Sequence, residues 1–341
     1  MLDWIRGALS DEARRVGIDP GRLTYFKRIG GDLSAGGKAV FEVLGPREAV
    51  PLWVVKAARS PEGSKNLEEE FKRLRGLAES LPETCSKSIP RAIAFEARDT
   101  GAVSVETFLR GEKLSRLLRL HRQADVWGLW RTWGNRAIEW LIAFSGSQPS
   151  GRFDFSSAWW RELLVDPLAS HSPVLESLSP HWQSLWTRIL QTGDADWSIP
   201  LDSHPPHGDF TPTNIVTFAD EIGVFDWSPE QRDQPPGLDL FQFLMSSSLY
   251  MGQCLERKSR LADLSTPVCA SPQFFECVGE PIRTCLQRNR IPTAAVSKLS
   301  LAAFSLKILN LVNRPEPVRD SLAGWILGAD GWVTKGEEMA P

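Results

Sequence analysis

Cysteine is sparse and poorly spaced for structural chemistry. The 341-residue chain has five, Cys85, Cys254, Cys269, Cys277 and Cys285. Their number is odd and no two form C-x-x-C, so zinc-ligand spacing is absent. Buried free thiols in a reducing compartment are the expectation. Long apolar runs are missing too: none approaches the ~18–20 residues of a membrane span. The first residues, MLDWIRGALSDEARRVG, carry charge throughout with no apolar core of signal-peptide length, which points to a cytoplasmic protein. Charge of one sign is not in excess. The formal net charge is −3, with neither a basic arm nor an acidic tail, which argues against general affinity for nucleic acid. The hydrolase signatures G-x-S-x-G and H-E-x-x-H do not occur. His121, His171, His181 and His204 show no metal-binding spacing. There is no internal repeat and no low-complexity tract.

What is present is an ordinary globular composition, 42% hydrophobic and 24% charged. At ~100–200 residues per domain the length suits about two domains or one large bilobal unit. Residues 1–20 read as a short amphipathic helix ending at Asp19-Pro20. Thr24–Ile29 reads as a strand leading into a loop with Gly30, Gly31, Gly36 and Gly37. Ala39–Leu44 and Pro51–Ala57 follow as further β-rich runs. A helix is then expected, capped by Asn66, with Leu67, Glu70, Leu74 and Leu77 at helical spacing. Residues 91–95 and 102–109 read as short strands, and Gly111 breaks the pattern. Beyond it helical signals dominate, over 115–145, 157–164, 172–191, 238–261, 272–289 and 293–312. The stretch 192–237 interrupts them with loops and a hairpin, Ile215–Phe218 and Ile222–Phe225 about the acidic turn Ala219-Asp220-Glu221. The composition therefore divides near residue 110, into an extension 1–20, a β-rich region 21–110 and a mainly helical region 111–341.

One segment carries a set of groups suited to phosphoryl transfer. That reaction needs a group to orient and deprotonate the acceptor, oxygen ligands for Mg²⁺, and a cation on the phosphates. Magnesium takes one or two carboxylates with phosphate and water completing its octahedron. Asp209 and Asn214 lie five residues apart on a loop leading into a strand, and the hairpin after them returns Asp226. A capped turn is the plainer reading of Asp209 and Asn214 alone.

The segment His207-Gly208-Asp209-Phe210-Thr211-Pro212-Thr213-Asn214 resembles the catalytic loop of the aminoglycoside phosphotransferase and choline kinase superfamily. Asp226-Trp227 resembles its metal-binding aspartate, and Pro235-Pro236-Gly237-Leu238-Asp239-Leu240 resembles the downstream Asp-Leu that packs under the loop. The resemblance implies an α+β, bilobal protein-kinase-like fold with a small β-rich N-lobe and a larger, mainly helical C-lobe, ATP lying between them. It implies Asp209 as catalytic base or acceptor-orienting carboxylate, Asn214 and Asp226 as Mg²⁺ ligands, His207 as a structural brace, and Asp239 as a buried acceptor for loop N–H groups. Val54-Val55-Lys56 resembles the strand lysine that contacts the α- and β-phosphates. Glu70 resembles its ion-pair partner, with Glu68 and Glu69 as nearby competitors. Glu106-Thr107-Phe108-Leu109-Arg110-Gly111 resembles the linker whose main chain meets the adenine edge, through Glu106 and Phe108; for Phe108 a simple edge strand reads equally well. The loop Gly30–Lys38 matches neither G-x-G-x-x-G nor the Walker pattern. It suits a phosphate cover or a plain hairpin turn.

Fourteen tryptophans stand out. Trp127, Trp130, Trp133 and Trp140 fall at helical spacing and read as core, while one of them, or Trp159, Trp160 or Trp227, would suit an acceptor pocket. The function implied is an ATP- and Mg²⁺-dependent kinase that phosphorylates a hydroxyl of a sugar, amino sugar or related alcohol. A nucleotide-binding scaffold and an aminoglycoside-type antibiotic phosphotransferase are the alternatives. A protein kinase is disfavoured because H-G-D stands in place of H-R-D, without D-F-G or A-P-E. The carboxylates of the C-terminal region, Asp263, Glu276, Glu280, Glu316, Asp320 and Asp330, are scattered. A less acidic acceptor pocket than a cationic antibiotic needs is therefore expected.

Overall fold

A computed structural model describes residues 2–23, 25–31, 37–45, 50–120, 125–148, 151–179, 181–227, 234–256 and 272–312. Two compact units emerge, the first from residues 1–112 with 216–230, the second from 113–215 with 231–341.

In the first unit, strands β1 (Tyr25–Gly31), β2 (Lys38–Leu44), β3 (Trp53–Ala58), β4 (Ala92–Arg98) and β5 (Gly101–Thr107) form an antiparallel sheet in the order β1-β2-β3-β5-β4. Strand alternation sorts β3 into two faces. Trp53, Val55 and Ala57 pack with Val103 and Val105 against Ile5, Leu9 and Ala13 of helix α1 (Leu2–Arg15). These α1 residues recur every fourth position, one face of a helix. The segment expected as an extension, 1–20, is thus part of this unit's core, because its apolar stripe has a sheet face to cover. The other face of β3 carries Val54, Lys56 and Ala58 and meets helix α2 (Pro61–Ser80), through Leu67 beside Ala58 and Ala102.

Helix α2 does not start at Asn66. Ser60 is its cap, accepting the Gly63 N–H at 2.9 Å, with Pro61 as the first helical residue. Ser-Pro is the stronger start signal, since proline's missing N–H costs nothing at that position and its φ is already helical. The hairpin of β9 (Ile215–Phe218) and β10 (Glu221–Val224), expected as an interruption of the helical region, groups with this unit. Strand β6 (Glu112–Lys113) pairs with β9 in a sheet ordered β10-β9-β6. Gly111, at φ +136°, permits that approach: a Cβ there would lie 2.5 Å from the Thr217 carbonyl oxygen.

The second unit is mainly helical, with helices at Leu114–Leu120, Asn135–Ser147, Asp166–Leu178, Trp182–Asp194, Leu238–Glu256, Pro272–Arg288 and Thr293–Val312. The single helix expected over 172–191 is two, broken at Ser179. A π-helical turn, Trp130–Gly134, precedes Asn135–Ser147. A hairpin absent from the sequence reading, β7 (Gly151–Ser156) with β8 (Ser198–Ser203), pairs Phe153 with Leu201 and Phe155 with Ile199. Its partners are over forty residues apart in the chain, so no local turn signal announces it. Trp130 and Trp140 are core residues: Trp130 meets Phe243 and Phe274, and Trp140 stacks on Phe144 and Phe210. Leu238–Glu256, the central helix, is apolar on most of its circumference, as full burial requires. Cys85, Cys254, Cys277 and Cys285 are buried free thiols, and burial pushes Cys285 up to about 12; Cys269 lies outside the described residues. Among the described residues no single helix is long and apolar enough to cross a membrane.

Candidate functional site

The first unit holds a buried ionic cluster. Lys56 on β3 and Glu70 on α2 face one another because alternation turns Lys56 toward α2 and the Leu67, Leu74, Leu77 stripe draws that face of α2 onto the sheet. Lys56 Nζ lies 2.5 Å from Glu70 Oε1 and 2.9 Å from Glu106 Oε1, and all three residues are 3–6% exposed. Asp226 Oδ1 is 3.8 Å from the same ammonium. Burial opposes the charge on Lys56, but the Glu106, Glu70 and Asp226 carboxylates outweigh it and hold its pKa above the ordinary lysine value. Burial raises the Glu106 pKa, with the Lys56 charge pulling the other way. Glu68 and Glu69, the competitors of Glu70, pair instead with the solvent-facing Lys72 and Lys65.

A second lysine completes the cluster. Lys38, at the start of β2, donates to Glu70 Oε2 at 2.6 Å and to Asp226 Oδ1 at 2.8 Å. Nothing in its local sequence signals this, because its two partners lie on α2 and beyond β10. The loop before it, residues 32–36, lies outside the described residues. Glu106 also differs from the sequence reading in emphasis: its side chain reaches Lys56, a contact the linker resemblance did not anticipate. The N–H of Phe108 donates to the Leu52 carbonyl at 3.0 Å. Asp226 sits in the left-handed region at φ 62°, a conformation aspartate tolerates better than most residues and one that clusters at functional sites. Trp227 beside it is buried with the Arg73 guanidinium 5.4 Å from its ring, so it does not serve as an open stacking surface.

The second unit holds the H-G-D loop. Asp239, in the first turn of Leu238–Glu256, accepts the His207 N–H at 2.6 Å and the Gly208 N–H at 2.9 Å. Gly208 turns the chain at φ +93°, which a side chain would resist. His207 is fully buried, its Nδ1 accepting the Asp209 N–H at 3.3 Å and its ring edge-on to Phe210. Phe210 is itself clamped between Trp140 and Phe243. Asp209 is thereby presented on a loop fixed from beneath, with its own carboxylate about half exposed, at 46%. Asn214 Nδ2 donates to the Asp209 carbonyl at 2.9 Å and to Asp209 Oδ2 at 2.8 Å. Lys307, on Thr293–Val312, places Nζ 3.7 Å from Asp209 Oδ1, a neighbour the sequence reading missed.

Asp226 and Asn214 each carry side-chain oxygen, the donor type a hard cation takes. Asp226 has two ammonium groups on one carboxylate oxygen, Lys38 at 2.8 Å and Lys56 at 3.8 Å. Asn214 spends its NH₂ on Asp209, which leaves its amide oxygen as the atom to offer a hard cation. Among the described residues no group of three or more His, Cys, Asp or Glu side chains converges as a metal cage.

His204 leads into the loop, and burial holds its pKa down to about 4. A histidine whose folded pKa lies below its ordinary value of 6.5 destabilises the fold as it charges. Stability should therefore fall from about pH 6.5 and be reduced by roughly 3 kcal/mol below pH 4. Urea titrations across that range check this, and His204→Gln should flatten the profile. An unchanged profile in the variant would place the acid sensitivity elsewhere.

A family model described as the phosphotransferase enzyme family, APH, matches residues 33–247. A comparison with curated proteins gave no match. Among solved structures, an aminoglycoside-3'-phosphotransferase of type VIII is 20% identical with a TM-score of 0.50, covering 88% of this chain and 97% of its own. The aminoglycoside phosphotransferase APH(3'')-Id from Streptomyces rimosus, solved with ADP and streptomycin, is 14% identical with a TM-score of 0.46, covering 97% of this chain and 98% of its own. The fold is kinase-like, with a β-sheet N-terminal region and a helical C-terminal region. The family match spans most of the chain and takes in both the Lys56 cluster and the loop built on Asp239: this chain belongs to the APH phosphotransferase enzyme family, whose members transfer phosphate to an alcohol group.

Proposed function

We propose that the chain transfers the γ-phosphate of ATP, as its magnesium complex, to a hydroxyl of a small sugar-like alcohol in the cytoplasm. The observation that carries this reading is the braced presentation of Asp209, with Asn214 bonded to it and both loop N–H groups spent on Asp239. In this reading Asp209 accepts the hydrogen bond of the acceptor hydroxyl, orients it and takes its proton as the oxygen attacks phosphorus. Lys56, held charged and positioned by Glu70, binds the α- and β-phosphates, with Glu106 fixing the ammonium from its other side. Main-chain groups near Glu106 and Phe108 meet the adenine edge. Asp226 and Asn214 hold Mg²⁺, which supplies charge neutralisation to the phosphates when bound.

Acceptor-dependent ADP release, measured over a panel of sugars, amino sugars and simpler alcohols, tests the proposal. Release is expected to need Mg²⁺ and to stop with EDTA. Asp226→Ala is expected to reduce kcat at least about 100-fold, the scale of removing an electrostatic stabiliser of the transferring group. Mg-ATP binding without transfer to any acceptor would favour the scaffold reading instead.

A further inference from the structure

The ionic cluster of the first unit has an inner and an outer lysine. Val40 pairs with Lys56 and Lys38 with Ala58, so Lys38 and Lys56 share one face of the sheet at diagonal positions. Like charges placed so repel, and Glu70 offsets this with one oxygen for each, Oε1 for Lys56 at 2.5 Å and Oε2 for Lys38 at 2.6 Å. The two lysines differ in access to solvent. The Lys56 side chain is 4% exposed, its ammonium enclosed by Glu70 and Glu106, whereas that of Lys38 is 27% exposed. An ammonium has three N–H donors. Lys38 spends one on Glu70 Oε2 and one on Asp226 Oδ1 at 2.8 Å, and the third has no partner among the described residues. The backbone beneath Lys38 is fixed. It is paired with Ala58, and the Gly37 carbonyl before it lies against the first turn of α2, where a Cβ on Gly63 would stand 3.0 Å from that oxygen. Lys38 is therefore a cation held in place by two carboxylates, with one donor left for a ligand.

Such a donor takes an anion, and charge balance sets its form. Three carboxylates, Glu70, Glu106 and Asp226, face two ammonium groups, an excess of one negative charge with all five ionised. A bare polyphosphate meets that excess. A polyphosphate carrying a divalent cation brings the compensating charge with it. We propose that Lys38 is a second phosphate-binding residue of the nucleotide site: beside Lys56, its ammonium donates to a phosphate oxygen of the magnesium–nucleotide complex. The inference rests on the phosphotransfer reading, which supplies the nucleotide. It also divides the work of the two lysines. Lys56 holds both buried carboxylates and is part of the fold's foundation. Removing Lys38 leaves Glu70 paired with Lys56, and Asp226 is 41% exposed, so Lys38 acts on the ligand more than on the fold.

Isothermal titration calorimetry with adenosine, ADP and ATP, in excess Mg²⁺ and again in EDTA, measures what the phosphates contribute in wild type, Lys38→Met and Lys38→Arg. With Mg²⁺, Lys38→Met is expected to weaken ADP and ATP about 10- to 100-fold, the scale of a hydrogen bond to a charged group, and to leave adenosine unchanged. Lys38→Arg keeps the charge and should restore part of the affinity. Wild type should bind Mg-ADP more tightly than ADP in EDTA; the reverse order contradicts the charge balance and overturns the proposal. The denaturant midpoint should shift less in Lys38→Met than in Lys56→Met. An unchanged ratio of ADP to adenosine affinity in Lys38→Met, in a protein that still transfers phosphate, overturns this inference alone. Equal weakening of adenosine makes Lys38 a structural residue and overturns it too. Wild type that binds none of the three sinks the phosphotransfer reading and this inference with it. If Lys38→Met does not fold, Lys38→Gln carries the same comparison.

Discussion

Lys56→Met is expected to destabilise the protein by about 3–5 kcal/mol, the cost of leaving a buried charge without its partner. Lys56 Nζ holds both Glu70 and Glu106, and both carboxylates are nearly inaccessible to water. Methionine fills the space of the lysine stem but leaves two buried carboxylates with only Lys38 nearby. The loss should depend on pH. Burial raises the Glu106 pKa, so its charged form is disfavoured in the fold relative to the unfolded chain. A carboxyl with a raised folded pKa contributes stability at acid pH that is lost as pH rises above its unfolded value of about 4.5. Removing Lys56 takes away the one group that lowers the Glu106 pKa most, and widens this window. Lys56→Met should therefore be closer to wild type at pH 5 than at pH 8. Adding Glu106→Gln should recover part of the loss at pH 8. Denaturant titrations of the single and double variants at both pH values decide it, and equal destabilisation at the two would show that Glu106 does not carry the penalty.

Asp209→Asn is expected to lower kcat by about 10²- to 10⁴-fold, the usual worth of a positioned general base. Nucleotide affinity should be nearly unchanged. The asparagine keeps the shape of the side chain and an oxygen that can still accept from Asn214 Nδ2. It gives up the negative charge and the capacity to take the acceptor proton. Stability should change by less than about 1 kcal/mol, since the carboxylate is half exposed and the loop is braced by Asp239 rather than by Asp209. Single-turnover transfer, ATP binding and a denaturant melt measure the three quantities separately. Retained kcat in Asp209→Asn would remove Asp209 from the chemistry, whereas loss of ATP binding or of stability would make its role structural.

These two experiments divide the site along the same line as its legibility in the sequence. The H-G-D loop is local: Asp209 and Asn214 are five residues apart, and the glycine, the proline and the asparagine each serve the backbone path that joins them. Helix α2 is nearly as readable, since Leu67, Leu74 and Leu77 mark its buried stripe and place Glu70 at the stripe's edge. Its start lies earlier than the apolar spacing indicates, because Ser60-Pro61 stands about two turns before Leu67. The β7–β8 pairing leaves no local turn signal because its strands meet across a long helical insertion.

By itself, the sequence determined the phosphotransferase family and the kinase-like class, because those depend on residue type at short spacing and on periodicity. Tertiary structure alone decided which charges share a site. Lys38 meets Asp226 across 188 residues of chain, Glu106 turns its carboxylate to Lys56 because of strand register, and Lys307 arrives at Asp209 on a helix that is mostly apolar. Long-range ion pairs leave no period and no local signature, since the interaction depends only on where folding brings two charges and how far burial removes water from between them.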